Sequence, residues 1–198
     1  MSNPEVEWLD RARKGDEDAF SSLVEAFKTP VYNLCYRMLG DTGEAEDAAQ
    51  ETFWRAHQSL GKYDPARPFN TWLLSIAAHY CIDQIRKRHM QSLPLDIISE
   101  ETAPDPEAPN PEAEFRKNEE KEAIRKLLNH LSPPDRAAIV LRYWYDLSDE
   151  EIGKALSLTV PAVKSRLHRA RRELATLWLA DTTHNLAAER RHHESPAF

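Results

Sequence analysis

Between Ser92 and Glu114 the chain carries Pro94, Pro104, Pro106, Pro109 and Pro111 among repeated Asp, Glu and Ala, with almost no periodic apolar pattern. A stretch of this composition cannot bury enough surface to offset its ordering entropy, so it is expected to be a flexible linker. Whatever folds must be built separately from the blocks on its two sides. Residues 91–118 would reach roughly 90 Å when fully extended. A passive tether and a segment with its own binding role are both open from composition alone.

Both flanking blocks read as helical, because alternating strand patterns are absent and apolar residues recur at three and four. With 41% hydrophobic and 30% charged residues in 198, a packed core is expected. Helices are expected over 6–13, 17–38 with a kink or break near Pro30, 42–59 and 68–89. In the second block they are expected near 114–129, 133–144, 148–156 and 160–179.

Several function classes fall away. The 5 glycines form neither a Gly-x-Gly-x-x-Gly nor a Walker-type loop. The longest apolar run, 72–82, is interrupted by Ser75 and His79, so no membrane insertion is expected. Behind Met1-Ser2-Asn3-Pro4-Glu5 there is no apolar stretch, so no secretory signal is expected. Cys35 and Cys81 are too few for a disulfide scaffold or a four-cysteine zinc site and read as buried packing residues. His79 and Cys81 would not share a helix face, and His192-His193 could bind metal only adventitiously, so neither metal nor cofactor is expected. No local arrangement suggests a catalytic nucleophile with its base. The chain reads as a reduced, cytoplasmic protein and not as an enzyme.

The net charge of −7 is unevenly placed. Residues 91–114 carry no basic and 7 acidic groups, whereas residues 115–180 carry 13 basic and 9 acidic. Acidity is concentrated in the linker, and the block after it is free to meet phosphate.

That block holds the sharpest local signal. Ser148 with Glu151 forms a capping box before Ile152, Ala155 and Leu156, and Ser157-Leu158 is the turn. Thr159 then caps a second helix that tolerates Pro161 in its first turn. Val163, Leu167, Ala170, Leu174 and Leu177 form its buried stripe. Lys164, Ser165, Arg166, His168, Arg169, Arg171 and Arg172 face elsewhere. This is the layout of a helix-turn-helix whose second helix enters the DNA major groove, although an ordinary hairpin with a solvated basic face has the same spacing.

The first block offers two further surfaces. On the 42–59 helix, Asp47, Gln50, Glu51 and Trp54 share a stripe, with Ala49, Phe53 and Ala56 on a neighbouring face. Carboxylates and an amide suit cationic donors on a partner helix, with an aromatic anchor beside them. A solvated charged face is the bland alternative. On the 68–89 helix, Phe69, Trp72, Leu73, Ile76, Ala77 and Tyr80 cover one side. Asn70, Thr71, Ser75, His79 and Asp83 supply polar positions, and 86–89 is basic. Aromatics beside cations suit single-stranded DNA, worth ~1–3 kcal/mol per stacked base. Most of the apolar residues are expected in the core. Contact is expected from the polar stripe, Trp72 and the loop over 62–69.

Three stretches resemble the extracytoplasmic-function (ECF) sigma factors of bacterial RNA polymerase. The run Ala45-Glu46-Asp47-Ala48-Ala49-Gln50-Glu51-Thr52-Phe53 is similar to the family's polymerase-binding helix. Phe69-Asn70-Thr71-Trp72-Leu73, Ile76-Ala77 and Ile82-Asp83-Gln84-Ile85-Arg86 resemble its helix for the promoter minus-10 element. Leu131, Arg136, Glu151-Ile152-Gly153 and the run from Val163 to Arg171 resemble the region that reads the minus-35 element.

The fold expected is an all-α protein of two small helical domains, 1–90 and 119–180, joined by a linker over 91–118, while the tail over 181–198 extends past the resemblance and is expected to be disordered. The resemblance carries the site assignments. It implies core-polymerase binding by Asp47, Gln50, Glu51 and Trp54. Minus-10 contacts would come from Lys62, Asn70, Thr71, Trp72, Ser75, His79 and Arg86. Minus-35 contacts would come from Thr159, Pro161, Ala162, Lys164, Ser165, Arg166, Arg169, Arg171 and Arg172. It further implies an anti-sigma partner and a linker running toward the channel near the polymerase active centre. Three departures stand out: Ser157 where the family often has glycine, Pro161-Ala162 in place of Gly-Thr, and Ala78-His79 in place of an Arg-Asn pair. The expected function is promoter recognition, DNA opening and initiation with core polymerase. The alternative is a stand-alone operator-binding repressor that uses the helix-turn-helix without polymerase.

Overall fold

In a computed structural model the described residues are 4–91 and 111–193, and all regular structure among them is helical. The first group comprises α1 (Pro4–Ala12), α2 (Glu17–Leu39), α3 (Thr42–Ser59) and, after a 3-10 turn at Leu60–Lys62, α4 (Phe69–Gln91). The second comprises α5 (Pro111–His130), α6 (Pro133–Trp144), α7 (Asp149–Leu156) and α8 (Val160–His193).

Local chemistry explains the boundaries. Asp16 begins α2 by accepting from the Ala19 N–H at 3.0 Å, and Asp41 begins α3 by accepting from Glu44 N–H at 2.8 Å. The carboxyl of Asp16 is held below its ordinary range, chiefly by that backbone bond and then by Arg11. Gly40 ends α2 in the left-handed region, φ 80°, where a glycine has no steric penalty. Pro133 follows the capping residue Ser132 at the start of α6, the position where a missing N–H costs nothing.

Three expectations are corrected. The helix over 17–38 is expected to kink or break near Pro30, and of these two outcomes the break does not occur, since α2 continues through the proline. Proline costs about 3 kcal/mol inside a helix, and buried Leu23, Val31, Leu34, Cys35 and Met38 on both sides of it hold the helix together. α5 begins at Pro111, inside the segment expected as linker, because Pro-Glu-Ala-Glu is a favourable first turn. α8 runs on to His193 instead of stopping near 179, since no Gly or Pro interrupts 180–193. The rest of the expected linker, 92–110, and the end of the tail, 194–198, lie outside the described residues.

In the first group α2 packs on α1, α3 and α4, while in the second α6, α7 and α8 pack mutually and α5 lies on α8. The fully buried residues include Leu23, Leu34, Met38, Leu73 and Leu74 in the first group and Val140, Leu141, Ile152 and Val163 in the second. Burying each such side chain is worth about 1.5–3 kcal/mol.

The two groups also touch, α2 against α5 and α6, and α4 against α6 and α7. The C-terminal end of α2 is where this contact is chemically defined. Its last carbonyls lack partners within the helix and carry partial negative charge. Arg136 Nη1 donates to Met38 O at 2.5 Å, and Arg125 Nη1 donates to Gly40 O at 2.9 Å. The Tyr145 hydroxyl donates to Pro30 O at 2.6 Å, and the Arg37 guanidinium lies 5.0 Å from the Trp144 ring centroid. Arg136 also donates to Asn129 O at 3.0 Å, and at 5% exposure its burial, then Arg88 nearby, lowers its pKa to about 10. Two arginines from the second group thus cap a helix of the first.

Candidate nucleic-acid and polymerase interfaces

The helix-turn-helix forms as its capping residues dictate. Ser148 Oγ accepts from Glu151 N–H at 3.2 Å, and Glu151 Oε2 accepts from Ser148 N–H at 2.8 Å. Those bonds hold the Glu151 carboxyl below its ordinary range. The turn is closed by the Leu158 N–H donating to Gly153 O at 2.8 Å. A Cβ on Gly153 would lie 2.8 Å from Leu158 O, so the glycine is required for close approach of turn and helix. Ser157 adopts φ 56° and ψ 44°, so the turn keeps the left-handed geometry that glycine favours, with serine in its place. Thr159 Oγ1 accepts from Ala162 N–H at 3.4 Å.

On α8, Val163, Leu167 and Ala170 are buried against α6 and α7. Thr159, Pro161, Lys164, Ser165, Arg169, Arg171 and Arg172 are exposed, and Ala162 is half-buried. Arg171 Nε donates back to Leu167 O at 3.1 Å. Arg166 is not free in the same way: its Nη1 donates to Asp135 Oδ1 at 2.8 Å, and the side chain is 27% exposed. Arg169 Nη2 lies 3.6 Å from the same oxygen. Asp135 was missed in the sequence, because an acid after Ser132-Pro133-Pro134 reads as an ordinary first-turn carboxylate.

The face of α4 is built on an aromatic cluster. Tyr63, Phe69 and Trp72 have ring centroids 5.0–5.6 Å apart, and Phe27 meets Phe69 edge-on at 5.3 Å. Trp72 is half-buried within it. Asn70 is half-buried, and its Oδ1 is itself buried with no hydrogen-bond partner among the described residues. Ser75 Oγ donates to Trp72 O at 2.6 Å, and exposed His79 lies with Nδ1 2.8 Å from Ser75 O. Thr71 was expected at the DNA surface but is 7% exposed; one turn of α4 cannot present Asn70, Thr71 and Trp72 on one face. Ala78 is buried, so of the Ala78-His79 pair only the histidine lies on the open side. Lys62 is exposed in the preceding turn, and the Tyr63 hydroxyl donates to Arg67 O, closing the loop into α4. Arg86 is exposed beside Asp83 at 3.9 Å. Exposed Arg67, in the loop over 62–69 and 4.0 Å from Asp64, adds a further cation to this face.

On α3, Asp47 and Gln50 are exposed and Trp54 is 58% exposed, an unusual position for a tryptophan. Glu51 pairs with Arg55 at 2.7 Å, and the Arg55 guanidinium lies 4.8 Å from the Tyr80 ring centroid on α4. Ala49 and Ala56 are buried beneath this stripe and Phe53 is half-buried.

Cys35 and Cys81 are both buried, and the hydrogen bond with Cys35, then burial, pushes the Cys81 thiol far above its ordinary range. They are packing residues. Among the described residues no group of three or more His, Cys, Asp or Glu is placed to hold a metal ion, and no helix is long and apolar enough to cross a membrane.

Residues 23–90 match the family model for sigma-70 region 2, and residues 121–174 match that for sigma-70 region 4. The chain is 38% identical over 175 residues to the ECF RNA polymerase sigma factor SigW of Bacillus subtilis (strain 168), covering 84% of this chain and 92% of that protein. It is 37% identical over 166 residues to the ECF sigma factor SigE of Mycolicibacterium smegmatis, covering 81% and 63% respectively. CnrH, solved with the cytosolic domain of CnrY, has a similar fold at TM-score 0.67 and 24% identity, covering 90% of this chain and 99% of that one. The Bartonella quintana sigma factor RpoE, solved with the anti-sigma factor NepR, follows at TM-score 0.61 and 24% identity, over 82% and 98%. With both sigma-70 regions present in order, and with α3, α4 and the helix-turn-helix standing where the three motifs require them, the chain belongs to the ECF family of RNA polymerase sigma factors, non-enzymatic initiation factors that bind core polymerase and direct it to promoters.

Proposed function

We propose a division of labour among three helices for this sigma factor. Asp47, Gln50, Glu51 and Trp54 on α3 contact core polymerase. Asn70, Trp72, Ser75 and His79, with Lys62, Arg67 and the basic end of α4 at Arg86, hold the minus-10 strand. Lys164, Ser165, Arg166 and Arg169 in the first turns of α8 approach base edges of the minus-35 duplex, while Arg171 and Arg172 meet phosphates. Residues 1–90 and 119–180 act as the two functional units, in the cytoplasm where polymerase and chromosome meet.

The observation that carries this reading is the two-sidedness of α8: an apolar stripe buried on α6 and α7 and a cationic surface opposite it. Buried residues fix the helix, so exposed Lys164, Arg171 and Arg172 approach DNA without disturbing the core, whereas Arg166 does so from its bond to Asp135. Bidentate contact of an arginine with guanine gives ~1–3 kcal/mol of discrimination, whereas a phosphate contact favours all sequences equally. Arg166→Ala is therefore expected to relax preference at one or two positions of the upstream element. Arg172→Ala is expected to weaken all promoters evenly and reduce the salt slope by about one. Initiation from a promoter library randomised over that element measures both. Unchanged sequence preference and strength in both variants would remove the assignment.

An anti-sigma partner is part of the same proposal. It is supported by the likeness in fold to RpoE, which was solved with the anti-sigma factor NepR, and co-purification from the native cell tests it.

A further inference from the structure

We infer that Asp135 is a positioning residue for promoter reading: its buried carboxylate on α6 holds the Arg166 guanidinium in the pose from which α8 meets the upstream element. This rests on α8 being the recognition helix, as proposed above.

The geometry has three parts. Asp135 lies 11% exposed in the first turn of α6, where the partial positive charge of a helix N-terminus stabilises a carboxylate. Its Oδ1 accepts from Arg166 Nη1 at 2.8 Å and lies 3.6 Å from Arg169 Nη2, so two cations one turn apart on α8 converge on one oxygen of another helix. The bond to Arg166 engages Nη1 alone, and a guanidinium has five N–H donors in a fixed fork. Nε and Nη2 remain as a parallel pair, the arrangement that fits the two acceptors on a guanine edge.

An exposed arginine must lose rotamer freedom when it binds, whereas Arg166 is already ordered by its partner. The carboxylate has an opposite effect on general attraction. It cancels one positive charge at the DNA-facing end of α8, so it lowers the pull on phosphates while sharpening the reading of bases. A residue that only packed α6 on α8 would have neither signature.

The test compares the full-length parent, Asp135→Asn, Asp135→Glu, Arg166→Ala and the Asp135→Asn/Arg166→Ala double variant. Each is assayed with core polymerase on a promoter library randomised over the upstream element, at several salt concentrations. Asp135→Asn is nearly isosteric, and Asp135→Glu keeps the charge but moves it by one methylene, so a folding defect in one leaves the other to report. Asp135→Asn is expected to lower discrimination about five- to tenfold, within the range a bidentate contact provides, at the same positions that Arg166→Ala relaxes. Initiation from mismatched promoters should be equal or stronger and the salt dependence unchanged or steeper. The double variant should discriminate no worse than Arg166→Ala alone, and Asp135→Glu should lie between parent and Asp135→Asn. The inference is overturned if Arg166→Ala changes preference while both Asp135 variants keep the parental one. It is equally overturned if the Asp135 variants weaken every promoter evenly with a lowered melting temperature. If Arg166→Ala itself leaves preference intact, the recognition reading fails first and the role of Asp135 falls with it.

Discussion

Ser157 carries a conformational cost that one substitution should relieve. At φ 56° its side chain meets the following carbonyl, a penalty of about 1–2 kcal/mol for a non-glycine residue. Glycine removes that penalty but gives the unfolded chain more freedom, worth roughly 0.5–1 kcal/mol. Ser157→Gly is therefore expected to stabilise the protein by about 0.5–1 kcal/mol, read as a higher denaturant midpoint with unchanged slope. A lower midpoint would mean that the serine hydroxyl, not the backbone, dominates at the turn. Gly153 shows the converse constraint at the other end of the same turn, where even one added carbon would meet Leu158 O at 2.8 Å.

Among the elements, α3 shows most clearly how surface chemistry separates from stability. Asp47 and Gln50 are exposed, and Glu51 makes only a surface pair with Arg55, so their loss should cost the monomer under about 1 kcal/mol. A charge-assisted interface truncated on one side loses about 2–5 kcal/mol. The triple variant Asp47→Ala, Gln50→Ala, Glu51→Ala is expected to keep its melting temperature and bind core polymerase at least 30-fold more weakly, about 2 kcal/mol. A titration showing parental affinity would remove α3 from that interface. The same scale shows what the sequence could tell. The bounds of α3 and α6 are legible to the residue, because Asp41 and Ser132-Pro133 are strong start signals. Pro30 and the end of α8 are not: tertiary burial carries α2 past its proline, and 180–193 contains no residue that stops a helix. Thr71 and Asn70 adjoin in sequence, but only the three-dimensional packing tells which of them is in the core. Asp135 was illegible for a similar reason, since its partners Arg166 and Arg169 are 31 and 34 positions away.

At the scale of the molecule the least legible feature is the docking of one half on the other. It is made through backbone carbonyls at Pro30, Met38 and Gly40, which leave no mark on a side-chain pattern. Tyr145→Phe deletes only the bond to Pro30 O and is expected to cost about 1 kcal/mol. Arg136→Ala leaves the Met38 and Asn129 carbonyls without that donor and is expected to cost about 2–4 kcal/mol, with an enlarged radius of gyration in solution scattering. Parental size and stability in both variants would show that the contact contributes nothing to the fold.

The central claim is that this chain confers promoter selectivity on core RNA polymerase, and run-off transcription on a promoter library tests it most directly. Core polymerase supplemented with the full chain is expected to initiate at defined positions on a subset of promoters sharing an upstream and a downstream element, whereas core polymerase alone does not. The chain alone should not hold duplex promoter DNA with comparable selectivity. Transcription indistinguishable from that of core polymerase, together with selective duplex binding by the chain alone, would contradict the account and favour a stand-alone operator-binding protein.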